Sequence, residues 1–65
     1  MRIDLNGTPF TVLAGSLAEV LDELDYGGLA IATAVNGTFV PAAARAGTLL
    51  QDGDQVEVLA PMQGG

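Results

Sequence analysis

The chain has no cysteine, no histidine and no lysine in 65 residues. Without cysteine it can form no disulfide and offers no thiol nucleophile or thiolate metal site. The lack of histidine also removes the usual zinc ligands and the usual nucleophile–base pairs. Positive charge is scarce: Arg2 and Arg45 oppose eight acidic residues, for a net charge of −6. Such a surface repels phosphate backbones, which argues against nucleic-acid binding and for solubility or a basic docking partner. Aromatic residues are limited to Phe10, Tyr26 and Phe39. No apolar run is long enough to cross a bilayer, and Met1-Arg2-Ile3-Asp4 lacks the basic region and apolar stretch of a secretion signal. The expectation is a cytoplasmic protein with neither nucleic-acid nor membrane partners.

A chain of this length makes one domain and buries only about 60% of its unfolded surface. With no disulfide or metal to brace it, the core must be apolar, and 49% hydrophobic residues can build one. Met1 to Leu5 alternates apolar and polar residues, as a half-buried strand does. Asn6-Gly7 is a hairpin signal, because both residues tolerate positive φ. Thr8 to Leu13 reads as the returning strand, with Pro9 at its start or on a sheet edge. Ser16-Leu17-Ala18-Glu19 is a capping box that opens a helix. Leu17, Val20, Leu21 and Leu24 form its apolar face, and Gly27-Gly28 ends it.

Leu29 to Val35 reads as a third strand, Asn36-Gly37 as a second hairpin turn, and Thr38 to Val40 as a fourth strand stopped by Pro41. Ala42 to Gly47 is ambiguous and compatible with a short helical turn. Leu49-Leu50 should return to the core. Asp52-Gly53-Asp54 forms a turn before a last alternating strand, Gln55 to Leu59. The order β-β-α-β-β-β predicts an α+β roll: a mixed sheet with one helix packed across one face and an extended C-terminal tail. Residues 1–60 form the domain, and 61–65 a flexible tail ending in Gly64-Gly65. Five or six extended residues reach about 17 to 20 Å at ~3.4 Å each.

Two terminal glycines let the backbone enter a channel too narrow for side chains. That suits a Gly65 carboxylate which another enzyme must reach and activate. Lysine, a natural competing nucleophile for an activated acyl group, is missing. Asp52-Gly53-Asp54 supplies too few oxygens for a calcium loop. Asp22, Glu23 and Asp25 read as solvated charge on a capped helix rather than as paired catalytic carboxylates. No catalytic, cofactor-binding or metal-binding residue is expected. Strand alternation points Val56 and Val58 inward, with Ile31, Thr33 and Val35. Gln55, Glu57, Leu59, Ala32 and Ala34 then face out, as does Phe39 if Val40 is core. The expected result is an exposed apolar patch of Ala34, Phe39 and Leu59, with Met62 on the tail, marking a partner-binding site.

Three segments in order, Ala34 to Pro41 (AVNGTFVP), Leu49 to Val58 (LLQDGDQVEV) and Gln63 to Gly65 (QGG), resemble the ThiS family. These are the bacterial sulfur carriers of thiamine biosynthesis. The length and the N-terminal hairpin fit as well, so the resemblance covers the whole chain. It departs at Ala42 to Gly47, where relatives often carry larger polar residues and a tryptophan. The resemblance implies a ubiquitin-like β-grasp fold. It implies that a ubiquitin-activating-type (ThiF-like) adenylyltransferase, using ATP and Mg²⁺, adenylates Gly65, with Gly64 threading the tail. A sulfur donor would then form a thiocarboxylate that a ThiG-like thiazole synthase consumes. The chain would be a protein cosubstrate rather than an enzyme. Carriers for molybdopterin, tRNA thiolation or cysteine synthesis are the near alternatives. A ubiquitin-like protein modifier, or an interaction module that never uses its end, are the more distant ones.

Overall fold

The computed structural model describes residues 1–13, 15–27 and 30–60. The elements are β1 (Arg2–Leu5), β2 (Thr8–Thr11), α1 (Leu17–Glu23), β3 (Ala32–Val35), β4 (Thr38–Val40), a 3-10 helix (Ala42–Gly47) and β5 (Gln55–Leu59). The strands form one sheet in the order β2-β1-β5-β3-β4. β1 and β5 run parallel and the other pairs antiparallel. Leu17, Val20 and Leu21 of α1 are buried in one cluster with Ile3, Leu5, Val12, Val40, Leu50, Val56 and Val58. This is the roll expected from the element order, with an aliphatic core on one face of the sheet. The seven residues of α1 are too few to span a bilayer, and no helix among the described residues is long and apolar enough to do so.

Both hairpins turn through left-handed pairs: Asn6 (φ 51) with Gly7 (φ 86), and Asn36 (φ 50) with Gly37 (φ 83). Two-residue turns of this kind match the twist of the strands they join. The asparagines also reach the central strand. Asn6 Nδ2 donates to the Val58 carbonyl at 3.0 Å, and Val58 N–H donates to Asn6 Oδ1 at 2.9 Å. The amide thereby extends the β1–β5 ladder past the point where the backbone turns away. On the other side, Asn36 Oδ1 accepts from Gln55 N–H at 2.9 Å, and Asn36 N–H donates to the Gln55 carbonyl at 2.7 Å. β5 is therefore held by one hairpin near its start and by the other near its end.

The capping box forms as read: Ser16 Oγ accepts from Glu19 N–H at 3.1 Å, and Ser16 N–H donates to Glu19 Oε1 at 3.2 Å. The Ser16 amide, then its hydroxyl, hold the Glu19 carboxyl below its ordinary value. The helix ends earlier than the glycines suggested. Leu24 caps it and Asp25 turns left-handed at φ 68. Asp25 N–H donates to the Asp22 carbonyl at 3.2 Å and Tyr26 N–H to the Leu21 carbonyl at 2.7 Å, a Schellman closure. Aspartate tolerates this conformation better than most side chains, so no glycine is needed there. Gly27 answers a different need, since a Cβ at that position would run into the Asp22 carboxylate. Gly28 lies outside the described residues.

Three other expectations are corrected. β2 stops at Thr11 instead of Leu13: Val12 still exchanges backbone hydrogen bonds with Met1, both at 2.8 Å, but Leu13 N–H turns to the Glu23 carboxylate at 3.0 Å. β3 begins at Ala32 rather than Leu29, where its last partner on β5 is Leu59; Leu29 lies outside the described residues. Leu50 enters the core but Leu49 is 75% exposed. Residues 48–50 run extended beside Ser16, with Leu17 N–H donating to Thr48 and Leu50 N–H to Gly15, both at 2.8 Å. Adjacent side chains on such a segment must face opposite ways. Pro9 lies on edge strand β2, as its missing N–H requires.

The alanine-rich segment becomes a 3-10 helix anchored by Arg45. Its Nη2 donates to the Ile31 carbonyl at 2.6 Å and its Nε to Thr33 Oγ1 at 3.0 Å. Thr33, buried in β3, donates its own hydroxyl hydrogen bond to the Val40 carbonyl at 2.8 Å. The chain thereby fastens its long return to β5 onto the strand just crossed.

The asparagine clamp can be tested with Asn6→Gly, which keeps the positive φ accessible while deleting both amide bonds to Val58. Urea denaturation should show a loss of about 1–3 kcal/mol from two partly buried backbone groups losing their partner. An unchanged midpoint would show that the amide is dispensable.

Candidate functional site

The helix covers one face of the sheet and leaves the other open. Along β5, Val56 and Val58 are buried while Gln55, Glu57 and Leu59 are exposed, so one strand serves the core and the open face alternately. On the neighbouring strands the open face carries Ala32 and Ala34 of β3 and Phe39 of β4. The register fixes which of these meet. Phe39 stands opposite Ala34, and Ala34 opposite Glu57, which makes one row across three strands. Ala32 stands opposite Leu59 in the next row. Phe39 is 65% exposed and Leu59 71%.

Together Ala32, Thr33, Ala34, Phe39, Glu57 and Leu59 line a groove of about 100 Å³. Small alanines form its floor because β3 carries nothing larger outward there. Phe39 bounds it on the β4 side, and Glu57 and Leu59 on the β5 side. The structure thus brings Ala34, Phe39 and Leu59 together on the open face. It adds Ala32 and Glu57, which alternation had turned outward without showing that they adjoin the patch. Only the strand register reveals that. Met62, Gly64 and Gly65 lie outside the described residues; in sequence they follow Ala60, which directly succeeds β5.

The acidic candidates have structural work. Asp52 Oδ1 accepts the Arg2 N–H at 2.7 Å, and Asp54 accepts from Gln51 N–H at 2.8 Å and from Asn36 Nδ2 at 3.0 Å. With Gly53 at φ 90 they build the turn that launches β5. Glu23 receives the Leu13 amide on both oxygens, and Asp25 occupies the left-handed helix end. These helix residues belong to the covered side of the sheet, away from the groove. Leu13, 95% exposed, joins Leu49 as an apolar exposure outside the groove that the sequence reading did not foresee.

Comparison with known proteins covers the same span. The ThiS family pattern matches residues 3–65. The crystal structure of the thiamine biosynthesis protein ThiS from Geobacter metallireducens is similar at 32% identity and a TM-score of 0.84, over 100% of both chains. The solution structure of a thiamine biosynthesis protein from Geobacter metallireducens is similar at 32% identity and a TM-score of 0.78, over 100% of this chain and 88% of that one. No curated protein matches the chain. The fold is the ubiquitin-like β-grasp.

The exposed positions of Phe39 and Leu59 separate binding from folding. Replacing both with Ser should change stability by no more than about 0.5 kcal/mol per site. It should weaken binding to a ThiF-like activating enzyme, the partner the resemblance implies, about tenfold or more, as loss of apolar anchors does. Calorimetric titration alongside thermal melts would measure both. Unfolding, or unchanged binding, would contradict a docking role for the patch.

Proposed function

Because this chain belongs to the ThiS family, we propose that it is a sulfur carrier of thiamine biosynthesis and that the Gly65 carboxylate carries the sulfur. The family match carries this reading, because it runs to residue 65 and so includes the diglycine end. The chemistry follows from the poor electrophilicity of a carboxylate. On the ThiF-like adenylyltransferase, which brings ATP and Mg²⁺, a Gly65 carboxylate oxygen attacks the α-phosphorus and pyrophosphate leaves. Hydrosulfide released by a donor, already at the sulfide level, then attacks the acyl carbon and AMP leaves, which gives a terminal thiocarboxylate. A ThiG-like thiazole synthase takes that sulfur into the thiazole ring.

The chain's own contribution is presentation. Gly64 and Gly65 offer no side chain to obstruct a narrow channel. Ala34, Phe39 and Leu59 give the partner an apolar surface beside the strand end from which the tail departs, and Met62 adds an apolar side chain on the tail itself. The carrier needs no thiol, because the sulfur resides on its carboxyl end. It is a cytoplasmic cosubstrate, binds no cofactor and metal of its own, and supplies no catalytic residue.

Intact mass after incubation with the adenylyltransferase, ATP, Mg²⁺ and a sulfur source tests this. Exchange of one oxygen for sulfur adds nearly the same mass as oxidation of Met1 or Met62, so the product is also trapped with a thiol-reactive alkylating agent. The expected result is an alkylatable product that a des-Gly65 control lacks. No modification by an ATP-consuming enzyme would overturn the reading.

A further inference from the structure

We propose that the groove beside the end of β5 receives an arginine side chain from the protein that docks there. This deepens the carrier reading, on which its biological meaning rests. The groove's volume, about 100 Å³, suits a single side chain rather than a helix or strand. Its floor, Ala32 and Ala34, is flat and apolar and fits an unbranched methylene stem. One wall is the ring of Phe39, mostly uncovered at 65% exposure. The other holds Glu57, which is exposed and has no hydrogen-bond partner for its carboxylate among the described residues.

A carboxylate and an aromatic ring on either side of Ala34 make a mixed environment. A leucine would fill the floor but would crowd the carboxylate's water without replacing it. A lysine would reach Glu57 but match the ring less well. Guanidinium is planar, stacks on an aromatic face and forks onto a carboxylate, so it satisfies both walls at once. The chain's own cations do not serve: Arg45 is bonded to Ile31 and Thr33, and Arg2 stands at the start of β1, which runs parallel to β5 and so lies toward its other end. The net charge of −6 favours approach of a cationic group.

The test uses the full chain, ¹⁵N-labelled, titrated with N-acetyl-arginine amide, N-acetyl-lysine amide or N-acetyl-norleucine amide. The arginine compound should shift the amides of Ala32, Ala34, Phe39, Glu57 and Leu59 in a saturable way, more strongly than the other two. Glu57→Gln, at an exposed site that the fold does not need, should weaken this about threefold or more. Ala34→Leu, which fills the floor, should abolish it while the spectrum stays dispersed. Equal shifts from norleucine, or no shifts at the groove, would overturn the proposal. So would wild-type and Glu57→Gln chains binding the adenylyltransferase equally, a result that leaves the carrier reading intact. Conversely, failure to form a thiocarboxylate would remove the carrier reading, and the arginine titration would still decide the groove's ligand.

Discussion

The structure depends on how its last strand is held. β5 enters the middle of the sheet, parallel to β1 on one side and antiparallel to β3 on the other. The two hairpins each contribute an asparagine whose side-chain amide bonds to β5 or to the turn before it. The strand made last is therefore the one most surrounded. Contacts of such large sequence separation carry a loop-closure cost that the contacts they make must repay. The functional consequence is positional: the residue after β5 departs from the best-anchored part of the molecule, and the face beside it has a fixed shape.

A domain this small must make each element serve twice. β5 places valines into the core and Glu57 and Leu59 onto the open face. β3 buries Thr33 and Val35 to different extents and turns alanines outward as a groove floor. Among the described residues, the buried polar ones are Ser16 and Thr33; both are bonded, and no buried side-chain polar atom there lacks a partner. Stability thus resides on the helix side of the sheet, which leaves the other side for the docking role proposed for it. The open face can vary to suit a partner at little cost to folding.

Much of this was legible from the residues. Asn-Gly pairs fixed both hairpins through their φ requirement, the capping box fixed the helix start, and alternation in Gln55 to Leu59 gave that strand's bounds and faces. Phe39 was readable as outward only on the condition that Val40 is core, and Val40 is buried. What escaped reading depends on the fold as a whole. The helix end was assigned to glycines because a left-handed aspartate is uncommon, yet Asp25 makes the closure and Tyr26 packs behind it. Leu49 looked like core because hydropathy does not tell which of two adjacent leucines faces in. Strand register, which places Ala32 and Glu57 at the patch, is a relation between distant segments. The asparagine amides were valued for conformation alone, since their partners on β5 lie 19 to 52 residues away.

The central claim is that a folded face, and not the tail alone, makes Gly65 a substrate. The most direct measurement compares the full chain with the free peptide of residues 60–65 in ATP–pyrophosphate exchange by the adenylyltransferase. If the anchored strand and its groove supply binding energy used in the reaction, kcat/KM for the peptide should fall by about a hundredfold or more. Exchange with the peptide within a few-fold of the full chain would contradict the account and reduce the domain to a handle.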